Sequence, residues 1–154
     1  LGVWEDGRLL SDRGELFVAN PDEAEIYGQL PEFSGPFSAA KEAARRYYEL
    51  PAQFAALSLS IAAIDISDRK AWSLRLAPDL RDDEKDRSDI RVELGRDRAA
   101  IPLGERVAQV VAAYPFVVAQ LGGPPARIDA RYANGLVASI PAKGMTKSDR
   151  AARP

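Results

Sequence analysis

The sequence predicts an α+β fold: a largely antiparallel β-sheet with two kinked amphipathic helices packed on one face and an open C-terminal edge strand. Three observations lead to this class. Short segments of alternating apolar and polar residues follow one another through turns, which is typical of half-buried strands. Two longer segments carry apolar residues every three or four positions, as amphipathic helices do. Each helix has one apolar stripe to cover, so both can pack on the sheet.

Residues 1–19 predict a small antiparallel meander. The turn signals Asp6-Gly7 and residues 11–14 (Ser-Asp-Arg-Gly) separate three short apolar runs. Residues 20–35 are expected to form an irregular connection to the first helix, and residues 30–36 form its extended part.

Residues 38–57 predict the first helix, because apolar side chains recur there at spacings of three and four positions. Pro51 lacks a backbone donor inside this pattern, so we expect a kink or a break near Leu50. Tyr47 and Phe54 lie on the apolar stripe. Aromatic residues at helical spacing far more often belong to a core than to a ligand pocket, and we assign both to the core.

Residues 59–66, 71–76 and 89–94 predict a second meander of three strands with one dry face. Residues 78–88 are rich in acids, but basic residues interrupt them and no glycine is present at a bend. A calcium loop needs alternating oxygen ligands, a glycine and a closing glutamate. We therefore expect a solvated hairpin loop and no metal site.

Residues 103–121 predict the second helix, again from apolar spacings of three and four positions. Pro102 suits its first turn. Pro115 is expected to kink it, and the Gly-Gly-Pro-Pro segment at 122–125 ends it.

Residues 127–140 predict the last element, a β-hairpin. Apolar and polar residues alternate on both sides of Asn134-Gly135, a pair that suits a two-residue turn. In that alternation Ile128, Ala130 and Tyr132 point to the same side. The second arm carries no interior charge or proline to repel another strand, so its outer edge is open to pairing.

The free edge is the predicted working surface, and proline at Val137 is expected to remove one of its backbone donors. Residues 141–154 are too polar to pack and are expected to form a disordered tail. Residues 1–140 then constitute one domain.

The composition excludes several function classes. The chain has 154 residues, 46% of them hydrophobic, which is enough for the core of one domain. The net charge is −2, without a basic block, so the sequence lacks the electrostatic pattern of a protein that binds nucleic acid or anionic membranes. Histidine and cysteine are absent, which removes imidazole bases, thiol nucleophiles, zinc sites and disulfides. No cofactor is implied.

No apolar run in the sequence approaches the roughly 20 residues needed to span a bilayer. The chain begins at Leu1 without a methionine. We therefore expect a fragment of a longer protein.

Five stretches together resemble one protein family. They are residues 30–36 (Leu-Pro-Glu-Phe-Ser-Gly-Pro), 67–74 (Ser-Asp-Arg-Lys-Ala-Trp-Ser-Leu), 93–97 (Glu-Leu-Gly-Arg-Asp), 114–115 (Tyr-Pro) and 129–135 (Asp-Ala-Arg-Tyr-Ala-Asn-Gly). In order and spacing they are similar to the extracytoplasmic β-domain of the bacterial cell-division protein FtsQ, called DivIB in some bacteria. Members of that family have a cytoplasmic tail, one transmembrane helix and a POTRA domain before this β-domain.

The resemblance implies a non-enzymatic assembly hub of the divisome, on the periplasmic face of the inner membrane at the division septum. Its partners in the family are the coiled-coil membrane proteins FtsB and FtsL, and FtsB adds a strand to the last strand of the β-domain. The matching partner-binding positions here are Arg69, Arg131, Tyr132, Asn134, Gly135, Leu136, Val137, Ala138, Ser139 and Ile140. Ile140 stands where some relatives carry a bulky aromatic residue.

Tyr132 is the predicted energetic hot spot. The alternative interpretation is that Tyr132 is an ordinary core tyrosine that packs with Ile128 and Ala130. Arg69 is expected to meet an acidic partner residue, and Arg131 to do the same; the alternative for Arg69 is a solvated turn residue.

Two other functions compete with the hub. One is a small hydrolase that uses Asp129 or Glu93 as acid or base beside an arginine, which requires a concave polar pocket around them. The other is a structural spacer that binds no partner.

Overall fold

The computed structural model describes residues 1–20, 23, 30–78, 89–132 and 135–139. The described strands form one open sheet of nine strands. Its order is β3 (Leu16–Phe17), β2 (Leu9–Leu10), β1 (Gly2–Trp4), β4 (Glu32–Ser34), β5 (Leu59–Ile66), β6 (Ala71–Pro78), β7 (Ile90–Arg96), β8 (Arg127–Asp129) and β9 (Val137–Ser139). The helices cover its apolar face. This confirms the predicted α+β class, with a mostly antiparallel sheet.

The N-terminal meander is present as predicted. It comprises β1 (Gly2–Trp4), β2 (Leu9–Leu10) and β3 (Leu16–Phe17), which pair antiparallel. Gly7 and Gly14 provide the turns with φ of 90° and 79°.

The expected irregular connection contains a strand that the pattern did not indicate. Strand β4 (Glu32–Ser34) pairs parallel with β1 on one side and with the later strand β5 (Leu59–Ile66) on the other. Its central residue Phe33 is buried and meets Tyr47 edge to face, with ring centroids 5.6 Å apart. Three residues are too few to show an alternation, and both of its neighbours are distant in sequence, so local reasoning missed it.

The first helical region breaks where Pro51 predicted. A short 3-10 turn (Phe37–Ala39) leads into α1 (Ala40–Glu49), and α2 (Pro51–Ala55) follows after Leu50. Leu50 and Phe54 are fully buried. Tyr47 is partly buried and packs against the same core, so the assignment of this stripe to the core is confirmed.

The second meander is confirmed and slightly longer than predicted. Strands β5, β6 (Ala71–Pro78) and β7 (Ile90–Arg96) pair antiparallel. Residues 79–88 of the predicted acidic loop lie outside the described residues.

A bulge interrupts the β6–β7 pairing near the end of β7. Trp72 faces Gly95 and Ser73 faces Glu93, so Leu94 has no opposite residue. Gly95 has φ of 73°, a left-handed conformation that glycine adopts without strain. The bulge lies close to the segment that follows β8, because Gly95 is next to the side chain of Arg131.

Helix α3 (Leu103–Leu121) spans the predicted residues and continues unbroken through Pro115. Gly122 ends it in the left-handed conformation, with φ of 74°. The first turns of α3 are buried against β7.

Arg106 of helix α3 is the one buried charged residue among those described, at 3% exposure. Its Nη1 donates to the C=O of Leu94 and, at 2.9 Å, to the C=O of Arg96. The helix thus supplies hydrogen-bond donors to the bulged end of β7.

We expect Gly95→Ala to destabilise the domain by about 1–3 kcal/mol, because alanine strains the left-handed backbone. An added Cβ would also lie 3.1 Å from Nη1 of Arg106 and 3.3 Å from Cγ of Arg131. Gly104→Ala is the matched control: it lies in helix α3 with open space around it, and we expect stabilisation by about 0.4–1 kcal/mol. Urea unfolding measures the stability of both variants. If Gly95→Ala were as stable as Gly104→Ala, the left-handed backbone at Gly95 would not require glycine.

The C-terminal hairpin is present, but its predicted two-residue turn is wrong. Strand β8 (Arg127–Asp129) pairs parallel with β7 and antiparallel with β9 (Val137–Ser139). Asp129 faces Val137, so residues 130–136 connect the strands. A turn at Asn134-Gly135 alone would instead place Tyr132 opposite Val137. In that register Val137 would face the core, whereas Leu136 and Ala138 pack there instead, and their burial outweighs the local turn preference.

Candidate functional site

Strand β9 is the last strand of the sheet, as predicted. It pairs with β8, and no other strand in the described part of the chain lies beyond it. The opposite edge is β3, which has only two residues. An unpaired edge presents a row of backbone donors and acceptors to another chain.

The bonds between β7 and the segment around β8 fix the direction of the backbone groups. The N–H of Arg91 donates to the C=O of Ala126 at 3.0 Å, and the N–H of Ala130 donates to the C=O of Glu93 at 2.8 Å. Successive strand residues turn their backbone groups to alternate sides. Even-numbered residues of β8 therefore turn theirs toward β7, and odd-numbered residues turn theirs toward β9.

The same alternation gives the direction of the backbone groups of β9. Val137 and Ser139 lie opposite odd-numbered residues of β8, so their backbone groups turn inward, and the C=O of Ser139 accepts the N–H of Ala126 at 2.9 Å. Ala138 lies between them and turns its N–H and C=O toward the free edge, as does Leu136. The edge donor is therefore at Ala138, and the expectation that Val137 supplies it is wrong.

The side chains of this segment divide between the two faces. Leu136 and Ala138 are partly buried and pack against the core. Val137 points to the other face and is 58% exposed. Gly135 precedes them with φ of 148°. Of the predicted contact residues, Asn134 and Ile140 lie outside the described residues.

Tyr132 does not share the burial of Ile128 and Ala130. Those two are fully buried, whereas Tyr132 is 54% exposed. The alternative of a core tyrosine is therefore wrong. The reason is that β8 ends at Asp129, so the alternation of the strand no longer governs Tyr132.

Arg131 is engaged within the domain. Its Nε and Nη2 donate to the two carboxylate oxygens of Asp129 at 2.8 and 2.6 Å. This bidentate pair holds the pKa of Asp129 below its ordinary value. The predicted contact of Arg131 with an acidic partner would have to compete with Asp129.

Arg69 lies apart from the edge strand. It is exposed in the turn between β5 and β6, next to Lys70 with φ of 64°. The start of β6 faces the end of β7, where Ala71 pairs with Arg96, so this turn and the β8–β9 connection lie at the same end of the sheet. Strands β7 and β8 still separate the β6 end of this turn from β9.

The comparison with known proteins now identifies the domain. A family model described as cell division protein FtsQ/DivIB, C-terminal, matches residues 2–131. The chain belongs to the FtsQ/DivIB family of cell-division proteins. The match ends at Arg131, so strand β9 of this FtsQ/DivIB domain lies beyond it.

The relatives agree with this assignment. The cell division protein FtsQ of Burkholderia pseudomallei is 37% identical over 145 residues, which are 94% of this chain and 52% of that protein. FtsQ of Bordetella pertussis is 27% identical, covering 91% of the chain and 52% of the relative. FtsQ of Xanthomonas campestris is 31% identical, covering 86% and 41%. The chain spans about half the length of the curated relatives it matches.

The geometry around the two candidate catalytic carboxylates of this FtsQ/DivIB domain disfavours either of them as a general acid. Glu93 accepts hydrogen bonds from Ser73 at 2.7 Å and from Arg91 at 2.6 Å. Partial burial raises the pKa of Glu93, but these bonds outweigh it and the pKa lies below its ordinary value. The pKa of Asp129 is lowered as well. A general acid at neutral pH needs a raised pKa.

A concavity of about 600 Å³ on the polar face of the sheet lies between β1 and β7, and its lining includes neither Glu93 nor Asp129. Within the described residues, no three acidic side chains are grouped as metal ligands. The helices of the described residues include none that is long and apolar enough to cross a membrane.

Proposed function

We propose that this chain is a non-enzymatic scaffold module of the divisome that binds FtsB, together with FtsL, by strand addition at β9. The observation that carries the proposal is the terminal position of β9, with the N–H and C=O of Ala138 directed away from the sheet. The family assignment supports a role in cell division. FtsB and FtsL are proposed as partners because the five stretches of the sequence resemble the family that binds them.

The energetics require side chains in addition to the backbone. A strand pair gains roughly 0.5–1.5 kcal/mol net per hydrogen bond, whereas association costs an estimated 4–15 kcal/mol. A few backbone bonds at an edge of three residues cannot supply that surplus. Tyr132, in the β8–β9 connection, and Val137, on β9, are each about half exposed, and burying the exposed half of each would contribute about 0.8–1.5 kcal/mol.

The proposed module comprises residues 1–140, with residues 141–154 as a polar tail. We place it on the periplasmic face of the inner membrane at the septum, as part of a membrane-anchored protein. Asn134, Gly135 and Ile140 complete the proposed contact with FtsB. Arg69, at the same end of the sheet, would set the register of the partner by meeting an acidic residue, with little gain in affinity.

We expect Tyr132→Ala to weaken FtsB binding by about tenfold, because it removes a large exposed side chain from the connection that leads into β9. Since Tyr132 is 54% exposed, the free energy of unfolding should change by less than about 0.5 kcal/mol. Calorimetric titration with the extracytoplasmic segment of the cognate FtsB measures the affinity, and circular dichroism measures the stability.

Tyr48→Ala is the matched control for this substitution. Tyr48 is 59% exposed, but it lies on helix α1. Its removal should leave the affinity unchanged. Equal affinities of both variants and the wild type would place the site elsewhere, and no saturable binding by the folded wild type would favour a structural spacer.

A further inference from the structure

Three arginines lie in one row across the polar face of the sheet. Arg75 of β6 faces Arg91 of β7, and Arg91 faces Arg127 of β8. The row ends at Ser139 of β9, which faces Arg127. Like charges directly opposite each other are unfavourable unless carboxylates compensate them.

The arginines of this row differ in how well they are compensated. Arg75 pairs with Glu32 at 3.0 Å and with Asp89 at 3.1 Å. Arg91 pairs with Glu93 at 2.6 Å. These two arginines are engaged inside the domain.

Arg127, the member of the row nearest the free edge, is poorly compensated. Its Nη2 lies 3.9 Å from Oε1 of Glu93, an oxygen that already accepts from Arg91 at 2.6 Å. The side chain of Arg127 is 47% exposed. Arg131, by contrast, makes two short bonds to Asp129. Of the two arginines next to the edge strand, Arg127 is therefore the one available to a partner.

A strand added to β9 would bring a partner side chain within reach of Arg127. Neighbouring strands lie about 4.8 Å apart, so the added strand would lie about 10 Å from β8. Ser139 stands between them, and its small side chain is exposed on the same face as Arg127. A partner carboxylate opposite Ser139 can pair with Arg127 there.

The next position on the same face favours a different residue type. Val137 is exposed and apolar, and its neighbour on β8 is Asp129. Asp129 is already paired with Arg131, so it needs no further cation. A partner carboxylate opposite Val137 would be repelled by Asp129, whereas an apolar residue would bury Val137.

We propose that the β9 edge selects an extended partner segment with an acidic residue opposite Ser139 and an apolar residue two positions away, opposite Val137. Arg127 is the residue that forms the ion pair with this acidic side chain. This inference rests on strand addition at β9 as proposed above, and it adds the residue types that the edge prefers. The two positions are on one face of the added strand because side chains alternate along it.

Arg127→Gln tests the acidic position. The probe is the extracytoplasmic segment of the cognate FtsB, as wild type and in a series in which each acidic residue is replaced by its amide. We expect Arg127→Gln to weaken binding of the wild-type segment about threefold to fivefold at low salt, as for a partly exposed ion pair. In a double-mutant cycle, one amide replacement should remove the difference between Arg127→Gln and the wild type.

Arg75→Gln is the matched control, because its side chain is 45% exposed on the same face and it lies two strands further from the edge. It should bind every segment like the wild type. Equal weakening by both variants would show a general charge effect and overturn the inference. It would also be overturned if no acidic residue of the segment couples to Arg127.

The failure of strand addition itself is distinguishable from these outcomes. In that case the folded wild-type domain does not bind the segment, or Ala138→Pro binds it normally. Either result removes the inference together with the proposed function. Loss of binding in Ala138→Pro, combined with no effect of Arg127→Gln, overturns only the acidic position.

Discussion

Ala138→Pro is expected to weaken FtsB binding by at least about thirtyfold while the domain stays folded. The substitution removes the N–H that points outward from β9 and leaves a partner carbonyl unpaired. Loss of one edge bond and burial of an unsatisfied carbonyl together amount to about 2 kcal/mol or more, which corresponds to this factor. Proline is tolerated at an edge position whose N–H faces solvent. Calorimetric titration measures the affinity, and thermal unfolding measures the stability.

Two neighbouring substitutions control for this result. Ala138→Ser keeps the N–H and a small side chain, so we expect it to bind like the wild type. Val137→Pro removes a donor that turns toward β8, so it should destabilise the hairpin by about 0.5–3 kcal/mol. If Ala138→Pro bound FtsB normally, strand addition at β9 would be wrong.

Arg106→Met is expected to destabilise the domain by about 2–4 kcal/mol, the largest stability effect that we predict. Arg106 is 3% exposed, and its guanidinium bonds the carbonyls of Leu94 and Arg96 at the bulge of β7. Methionine has similar volume but no donor, so the buried carbonyl of Leu94 would lose a partner at about 1–3 kcal/mol, and the partly buried carbonyl of Arg96 would lose a bond worth about 0.5–1.5 kcal/mol. Removing a buried charge offsets part of this loss. Denaturant unfolding monitored by circular dichroism measures it.

Arg13→Met is the control for loss of an arginine on the surface. Arg13 is exposed in the turn before β3, and the change in stability should remain within about 0.5 kcal/mol. If Arg106→Met were as stable as the wild type or more stable, the desolvation of the buried cation would equal or exceed the stabilisation from its two hydrogen bonds. Among the described residues Nε of Arg106 has no hydrogen-bond partner, so the stability of Arg106→Met tests directly whether the buried charge is stabilising.

The long, periodic elements were predictable from the sequence. Helix α3 and strand β5 have the predicted bounds, and the first helix breaks at Leu50 because Pro51 removes a donor there. In these segments the burial pattern, the helix or strand preference and the turn residues agree, so local information suffices.

Elements that depend on distant partners were not predictable in the same way. Strand β4 has three residues and lies between β1 and β5, and nothing in residues 30–36 indicates those neighbours. The prediction of the turn in the last hairpin was wrong for the opposite reason. Asn134-Gly135 carries a strong local signal, but Leu136 and Ala138 pack against the core, and this requires the register in which Asp129 faces Val137.

The sequence by itself determined the α+β class, the apolar stripes of the core and the position of residues 137–139 as the last strand at the edge of the sheet. It also excluded thiol and imidazole chemistry, because cysteine and histidine are absent. Only the tertiary structure decided which backbone donor of the edge is free, that Tyr132 is exposed, and that Arg127 is less engaged than Arg131. These properties depend on register and ion pairing between strands, which are set by packing among residues far apart in the chain.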